Sequence, residues 1–194
     1  MRSGLLAATV LATGVAAILA GCGKDAPTDT PAESSTDMLF RFERFTAFTP
    51  VDGPEVTLQS LRGKVVLFDL FGTWCPPCRK SAPLIVSLYE RYSAKGFEVV
   101  GLAYEQGGDP QAAREAVEGF RKEFNIPYTL GLGPEVVWED LREKTPARGA
   151  VPTLVVMDRQ GVVRDLFEGL PPGHEAVLAD RIERLLAEPD VPLP

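Results

Sequence analysis

Residues 64 to 71, KVVLFDLF, are apolar at nearly every position, with Val65, Leu67 and Phe71 on one strand parity and Val66, Phe68 and Leu70 on the other. A strand apolar on both parities is buried on two faces and belongs in the middle of a helix-flanked sheet. The pattern then changes period. From Pro76 to about Lys95 the apolar positions Ile85, Leu88, Tyr89 and Tyr92 share one helical face, and Gly96 supplies the stop. Residues 97 to 104 (FEVVGLAY) predict the next core strand. Residues 110 to 124 predict a second helix with Ala113, Val117, Phe120 and Phe124 inward. A short strand (YTLGL), a short helix (EVVWEDLREK) and a hairpin (PTLVVMD and VVRDLFEG around Asp-Arg-Gln-Gly) follow, then a last helix marked by Leu178, Ile182 and Leu185. Upstream, FRFERFTAF alternates and predicts an edge strand, which VDGPEVTL continues into an N-terminal β-hairpin. The whole reads as an α/β domain with a mixed central sheet flanked by helices.

The first 37 residues follow no such pattern. Arg2 precedes an apolar run from Gly4 to Gly21, the arrangement of a secretory signal. Its end, Leu19-Ala20-Gly21-Cys22, resembles the bacterial lipoprotein signal, in which Cys22 is acylated and becomes the first mature residue. An uncleaved anchor helix and an ordinary signal followed by a chance cysteine are the alternatives. Residues 23 to 37 contain no large apolar side chain and read as a solvated tether. The expected organisation is therefore a signal over 1–21, a lipidated cysteine and tether over 22–37, and one folded domain over 38–194. The net charge of -7 argues against a nucleic-acid surface, which needs clustered Lys and Arg. The chain holds three cysteines; if Cys22 carries lipid, Cys75 and Cys78 remain as an even pair.

That pair, in FGTWCPPCRK, falls where the buried strand turns into a helix. The first helical turn offers unpaired N–H groups and a partial positive charge. A thiolate at Cys75 would be stabilised there, with its pKa below the free value of about 8.5, while Cys78 one turn on should be more buried. Pro76 and Pro77 fit that first turn and stiffen the segment between the sulfurs. Four chemistries are weighed against the spacing. A structural disulfide would close too small a loop to constrain the unfolded chain much. Zinc ordinarily needs four ligands, and the mature chain offers only Cys75, Cys78 and its single histidine, His174. A copper site from those same three is less excluded. In a redox pair, Cys75 would attack a disulfide and Cys78 would resolve the mixed disulfide. Asp69 is the one charged residue in the buried strand. Burial should raise its pKa and make it a candidate proton acceptor for Cys78, against a carboxylate bonded to backbone or water at a strand end.

The segment LRGKVVLFDLFGTWCPPCRKSAPLI resembles the thioredoxin superfamily, and residues 45 to 186 resemble its membrane-associated TlpA/ResA-like branch. GAVPTLVVMDRQGVV is similar to the branch's cis-proline loop and hairpin, and VEGFRKEFNIPYTLGL to its helix–strand insertion. The resemblance implies a thioredoxin-like fold with a redox-active Cys75–Cys78 disulfide and no bound cofactor or metal. It gives Cys75 the attacking role and Cys78 the resolving one. Trp74 matches the aromatic that shields the site, with a plain core aromatic as the alternative. Pro152 matches the cis-proline, and Val151 the residue whose backbone meets the substrate; Pro76 and Pro77 join them on the substrate-facing surface. Pro83 matches the proline inside the active-site helix, and Asp69 the family's buried aspartate. One departure stands out: the branch often carries a glutamate three residues after the second cysteine, where this chain has Ser81. The implied activity is a membrane-anchored, extracytoplasmic protein-disulfide reductase of the cytochrome c or copper-site maturation type. Its implied partners are disulfide-bearing client proteins, a membrane electron donor of thiol–disulfide type and the lipid bilayer of the bacterial cell envelope, through acylated Cys22. A thiol peroxidase of peroxiredoxin type and a copper-binding assembly factor are the competing functions.

Overall fold

A computed structural model describes residues 39–169 and 173–189, so the signal, Cys22 and the tether lie outside the described residues. Five strands form one sheet in the order β5-β4-β3-β6-β7, with β3 (Val65–Phe71) at its centre. β4 (Phe97–Ala103) runs parallel to β3, and β5 (Thr129–Leu132) parallel to β4. β6 (Thr153–Met157) is antiparallel to β3, and β7 (Val163–Glu168) closes the edge as the second arm of a hairpin. A separate two-stranded piece pairs β1 (Ala47–Phe48) with β2 (Val56–Thr57). The helices are α1 (Pro76–Tyr92), α2 (Pro110–Phe124), α3 (Glu135–Lys144) and α4 (His174–Ala187). The mixed sheet and the helix–strand insertion of α2 and β5 match the sequence expectation. None of the described helices is long and apolar enough to cross a membrane.

The two parities of β3 enter two cores, as the apolar pattern requires. Val65, Leu67 and Phe71 pack with Ile85 and Leu88 of α1, Val117 and Phe120 of α2, and Ile182 of α4. Val66, Phe68 and Leu70 pack with Val137, Trp138 and Leu141 of α3 and with Phe45. All seven residues of β3 are buried. Asp69 falls on the parity of Leu67 and Phe71, so it enters the core beneath α1. Beside it in register on β4 is Gly101, where an added Cβ would stand 2.4 Å from Leu130 Cδ2. A methyl group there would force the Leu130 side chain to shift.

The N-terminal expectation is corrected in part. Residues 40 to 48 do not form an edge strand; Phe40 makes one isolated bridge to Val163, and only Ala47 and Phe48 are strand. The reason lies in Asp140. Its Oδ2 accepts the backbone N–H groups of Glu43, Arg44 and Phe45 at 2.9–3.0 Å, and its Oδ1 accepts from the Arg44 guanidinium at 3.0 Å. Donors satisfied by a side chain are not available to a ladder. The phenylalanines instead pack edge-to-face, Phe42 on Phe45 and both on Phe68. Burial pushes the Asp140 carboxyl up, but the three N–H groups and Arg44 outweigh it and hold it below its usual range. Asp140→Ala strands three donors at once and is expected to cost about 3 kcal/mol in urea unfolding. A loss below about 1 kcal/mol would mean that the phenylalanine packing alone holds this segment.

Candidate active site

The site is built at the C-terminal end of β3. Gly72 and Thr73 leave the strand, and Cys75 N–H bonds back to Gly72 O at 3.1 Å. Cys75 is the N-cap of α1, with extended backbone (φ -86°, ψ 111°), and its Sγ accepts the Cys78 N–H at 3.3 Å. Pro76 and Pro77 occupy the first helical positions, where no N–H is needed. Cys75 and Cys78 are joined as a disulfide, with Cα atoms 5.3 Å apart. Pro83 lies inside α1.

The exposure of the sulfurs differs from expectation. Both cysteines are 2% exposed, so Cys78 is not the more buried of the two. The loop before β6 accounts for this. The Val151–Pro152 peptide is cis, and the Val151 carbonyl oxygen lies 3.7 Å from Cys75 Sγ, covering it. The loop is held by Thr153 Oγ1 donating to Ala150 O at 2.7 Å and Gly169 N–H donating to Pro152 O at 2.8 Å.

Trp74 is not a core aromatic. It is 47% exposed, next to Cys75, and its Nε1–H donates to Tyr104 O at 3.0 Å. Gly72 leaves room for the indole in this position, since an added Cβ would meet Trp74 Nε1 at 2.6 Å. Asp69 is 5% exposed, and its Oδ1 has no hydrogen-bond partner. Burial pushes its carboxyl up to about 7. Tyr128, buried near it, is pushed up by burial and by the Asp69 charge. The alternative of a carboxylate satisfied by backbone does not hold for Oδ1. Ser81, in the place of the branch's glutamate, is buried and donates its hydroxyl to Cys78 O at 2.8 Å.

A cleft of about 550 Å³ opens beside the disulfide, lined by Pro76, Pro77, Ser81 and Leu84 of α1 and by His174 and Glu175 of α4. His174 begins α4 and meets the Phe167 ring edge-on at 5.8 Å. Among the described residues no group of three or more His, Cys, Asp or Glu side chains gathers as a metal site.

One residue of the site carried no role in the sequence reading. Glu105, just past β4, accepts the Thr73 N–H on Oε1 at 2.8 Å and the Thr73 hydroxyl on Oε2 at 2.7 Å. The signal that could have found it is the parallel pairing of β3 and β4, which sets Phe71 beside Ala103 and so brings the two following loops together.

Comparison with known proteins bears on this arrangement. Residues 23–182 match the family model described as Redoxin. The chain is 31% identical over 123 residues to thiol-disulfide oxidoreductase ResA of Bacillus cereus (strain ZK / E33L), covering 62% of this chain and 64% of that protein. It is 28% identical over 121 residues to ResA of Geobacillus kaustophilus (strain HTA426), with the same two coverages, 62% and 64%. The chain thus spans a little under two thirds of the length of these curated relatives. Among solved structures, a thiol:disulfide interchange protein of the thioredoxin family from Chlorobium tepidum TLS superposes with a TM-score of 0.61 at 24% identity, covering 80% of this chain and 99% of that one, and so shares the fold.

Proposed function

The chain belongs to the Redoxin family, and from that premise we propose that it is a thiol–disulfide oxidoreductase acting on disulfides of client proteins, most simply as their reductase. The observation that carries this reading is the Cys75–Cys78 disulfide capping α1 opposite the Val151–Pro152 loop. In the reduced protein the Cys75 thiolate sits on the N-terminus of a 17-residue helix, where the N–H groups and the helix dipole favour the charge. It attacks one sulfur of a client disulfide, and the other client sulfur leaves as thiolate. Cys78 then loses its proton and attacks Cys75 Sγ; the second client thiolate leaves and the protein disulfide forms. Two electrons pass from the protein to the client, and a membrane donor of thiol–disulfide type restores the dithiol. Asp69, with a carboxyl near neutrality on the α1 side of the sheet, is the proton acceptor for Cys78 in this reading, taking over a duty that Ser81 cannot perform. Trp74, Pro76, Pro77 and Val151 form the surface that meets the client.

The same proposal places the protein outside the cytoplasm of a bacterium, held to the membrane through acylated Cys22, and serving cytochrome c or copper-site maturation. Support for this comes from the N-terminal sequence and from the similarity to proteins named ResA. The activity is tested with insulin as the disulfide substrate and dithiothreitol as the reductant. The protein is expected to accelerate insulin reduction, and Cys75→Ser to return the rate to that of dithiothreitol alone. Equal rates with and without the wild-type protein would remove the reductase reading.

A further inference from the structure

We propose that Glu105 is a positioning residue for the proposed disulfide exchange: together with Arg79 it clamps Thr73 and thereby holds the Trp74 indole and the approach to Cys75 in a client-binding geometry. The proposal rests on the oxidoreductase reading above and adds a residue that this reading does not contain.

Thr73, two positions before Cys75, is held on every polar group it has. Its N–H and hydroxyl both go to the Glu105 carboxylate. Its carbonyl accepts from Arg79 Nη1 at 3.2 Å. Arg79 is fixed in turn, by its ion pair with Glu123 and by lying over the rings of Phe120 and Phe124, 5.8 and 5.2 Å from their centroids. The base on which Glu105 stands is rigid. Tyr104 N–H continues the β3–β4 ladder to Phe71 O at 2.7 Å. The Tyr104 ring packs on Trp138 with centroids 5.2 Å apart, and its hydroxyl donates to Pro134 O at 3.2 Å. Gly133 leaves room for that ring, since an added Cβ would meet Tyr104 Cζ at 2.4 Å. Tyr104 O is also the acceptor for the Trp74 indole.

The consequence is directional. A half-exposed tryptophan beside a reactive sulfur is a large, stiff contact surface for a protein substrate, and such anchors dominate binding when they are pre-organised. Thr73 and Trp74 are adjacent, so freeing Thr73 frees the peptide that aims the indole. A small disulfide that reaches Cys75 without that surface should be indifferent to the clamp. A protein disulfide should not.

The experiment compares wild type, Glu105→Ala, Glu105→Gln and Thr73→Val, each checked for native circular dichroism. Glu105→Ala is expected to raise KM for insulin roughly tenfold with kcat within about twofold, the scale of one lost binding anchor. The rate of the reduced protein with 5,5′-dithiobis(2-nitrobenzoate) should stay within about twofold. Glu105→Gln keeps an acceptor for the Thr73 N–H and should recover KM to within about threefold of wild type, while Thr73→Val, which removes only the hydroxyl bond, should fall between. In a Trp138→Phe background, where Trp74 alone emits, Glu105→Ala should also roughly double acrylamide quenching. An unchanged insulin KM, equal losses toward insulin and the small disulfide, or a glutamine variant as impaired as the alanine one would overturn the clamp. If Glu105→Ala does not fold, Thr73→Val decides by the same criteria. Should the wild type leave insulin untouched, the functional reading fails on its own, and unchanged Trp74 quenching would still overturn the clamp.

Discussion

Asp69→Asn is expected to stabilise the oxidised protein by about 4 kcal/mol at pH 8.5 and to change its stability little at pH 3.5. Carrying a carboxyl from its ordinary 3.8 to about 7 by burial is a statement about stability as well as about ionisation. In the unfolded chain Asp69 gives up its proton near 3.8. In the native protein it keeps the proton until about 7. Between those values the native state binds more protons than the unfolded state, so its stability falls as pH rises, and the loss is complete once the folded group has ionised. The contribution is thus fully present below about pH 3.8 and gone above about 7, and asparagine, which never ionises, does not lose it. Urea denaturation of both variants at half-unit steps from pH 3.5 to 8.5 measures the gap directly. A gap that stays flat across this range would mean that the carboxylate is solvated or paired and that its unpartnered Oδ1 does not describe the protein.

The cost of that group at neutral pH argues for a use. Leucine at a position between Phe68 and Leu70 would need no proton and would leave no orphaned oxygen in the core. The same variant therefore serves the functional proposal. If Asp69 takes the proton from Cys78, Asp69→Asn should slow the exchange reaction between pH 6 and 9 while leaving the protein folded. An exchange rate equal to wild type across that span would leave Asp69 as a costly core residue and no more.

What could be read from the chain alone, and what could not, divides on how local the cause is. β3 was legible because both parities of 65–71 are apolar, and the structure sends them into two cores. Asp69 was legible for the same reason, as the one charge in that run. The turn from β3 into α1 was legible from Cys75, Pro76, Pro77 and the apolar spacing behind them. The segment 40–48 reads as a strand but is not one, because its alternation comes from phenylalanines that pack as a cluster, while the ladder donors are consumed by Asp140, nearly a hundred residues away. Equal burial of the two sulfurs is not legible in the sequence, because a helix start alone suggests one outer and one inner cysteine. The Val151 carbonyl that covers Cys75 arrives from a loop 76 residues on. Glu105 is legible only as a polar residue at the end of a core strand, without a role: its partner Thr73 is 32 residues back, and only the register of β3 against β4 joins them.

The largest kinetic effects should fall on the two sulfurs, and unequally. Cys75→Ser is expected to lower protein-disulfide exchange on the order of a thousandfold or more, the scale of losing a nucleophile. Cys78→Ser should instead stop the reaction halfway, with one client held per protein through Cys75 in a dithiothreitol-sensitive mixed disulfide. Exposure gives no ground for this asymmetry, since the two cysteines are equally buried in the disulfide. Position does. Cys75 is the cap of α1 and stands against Val151 O, at the surface where a client backbone would lie. Cys78 is inside the first turn, its backbone N–H turned back to Cys75 Sγ and its carbonyl tied to Ser81. In the proposed reading, a client that displaces the Val151 carbonyl from Cys75 meets the cap of α1, whereas Cys78 lies within its first turn. Non-reducing gels of the two reduced variants after incubation with extract whose client disulfides are left oxidised, quenched with a thiol-blocking reagent, followed by mass spectrometry of the partners released by dithiothreitol, distinguish the cases. Mixed disulfides on Cys78→Ser and none on Cys75→Ser assign the attacking sulfur to Cys75. Equal trapping by both variants would show that either sulfur can lead, and the division of labour drawn from the helix cap would be wrong.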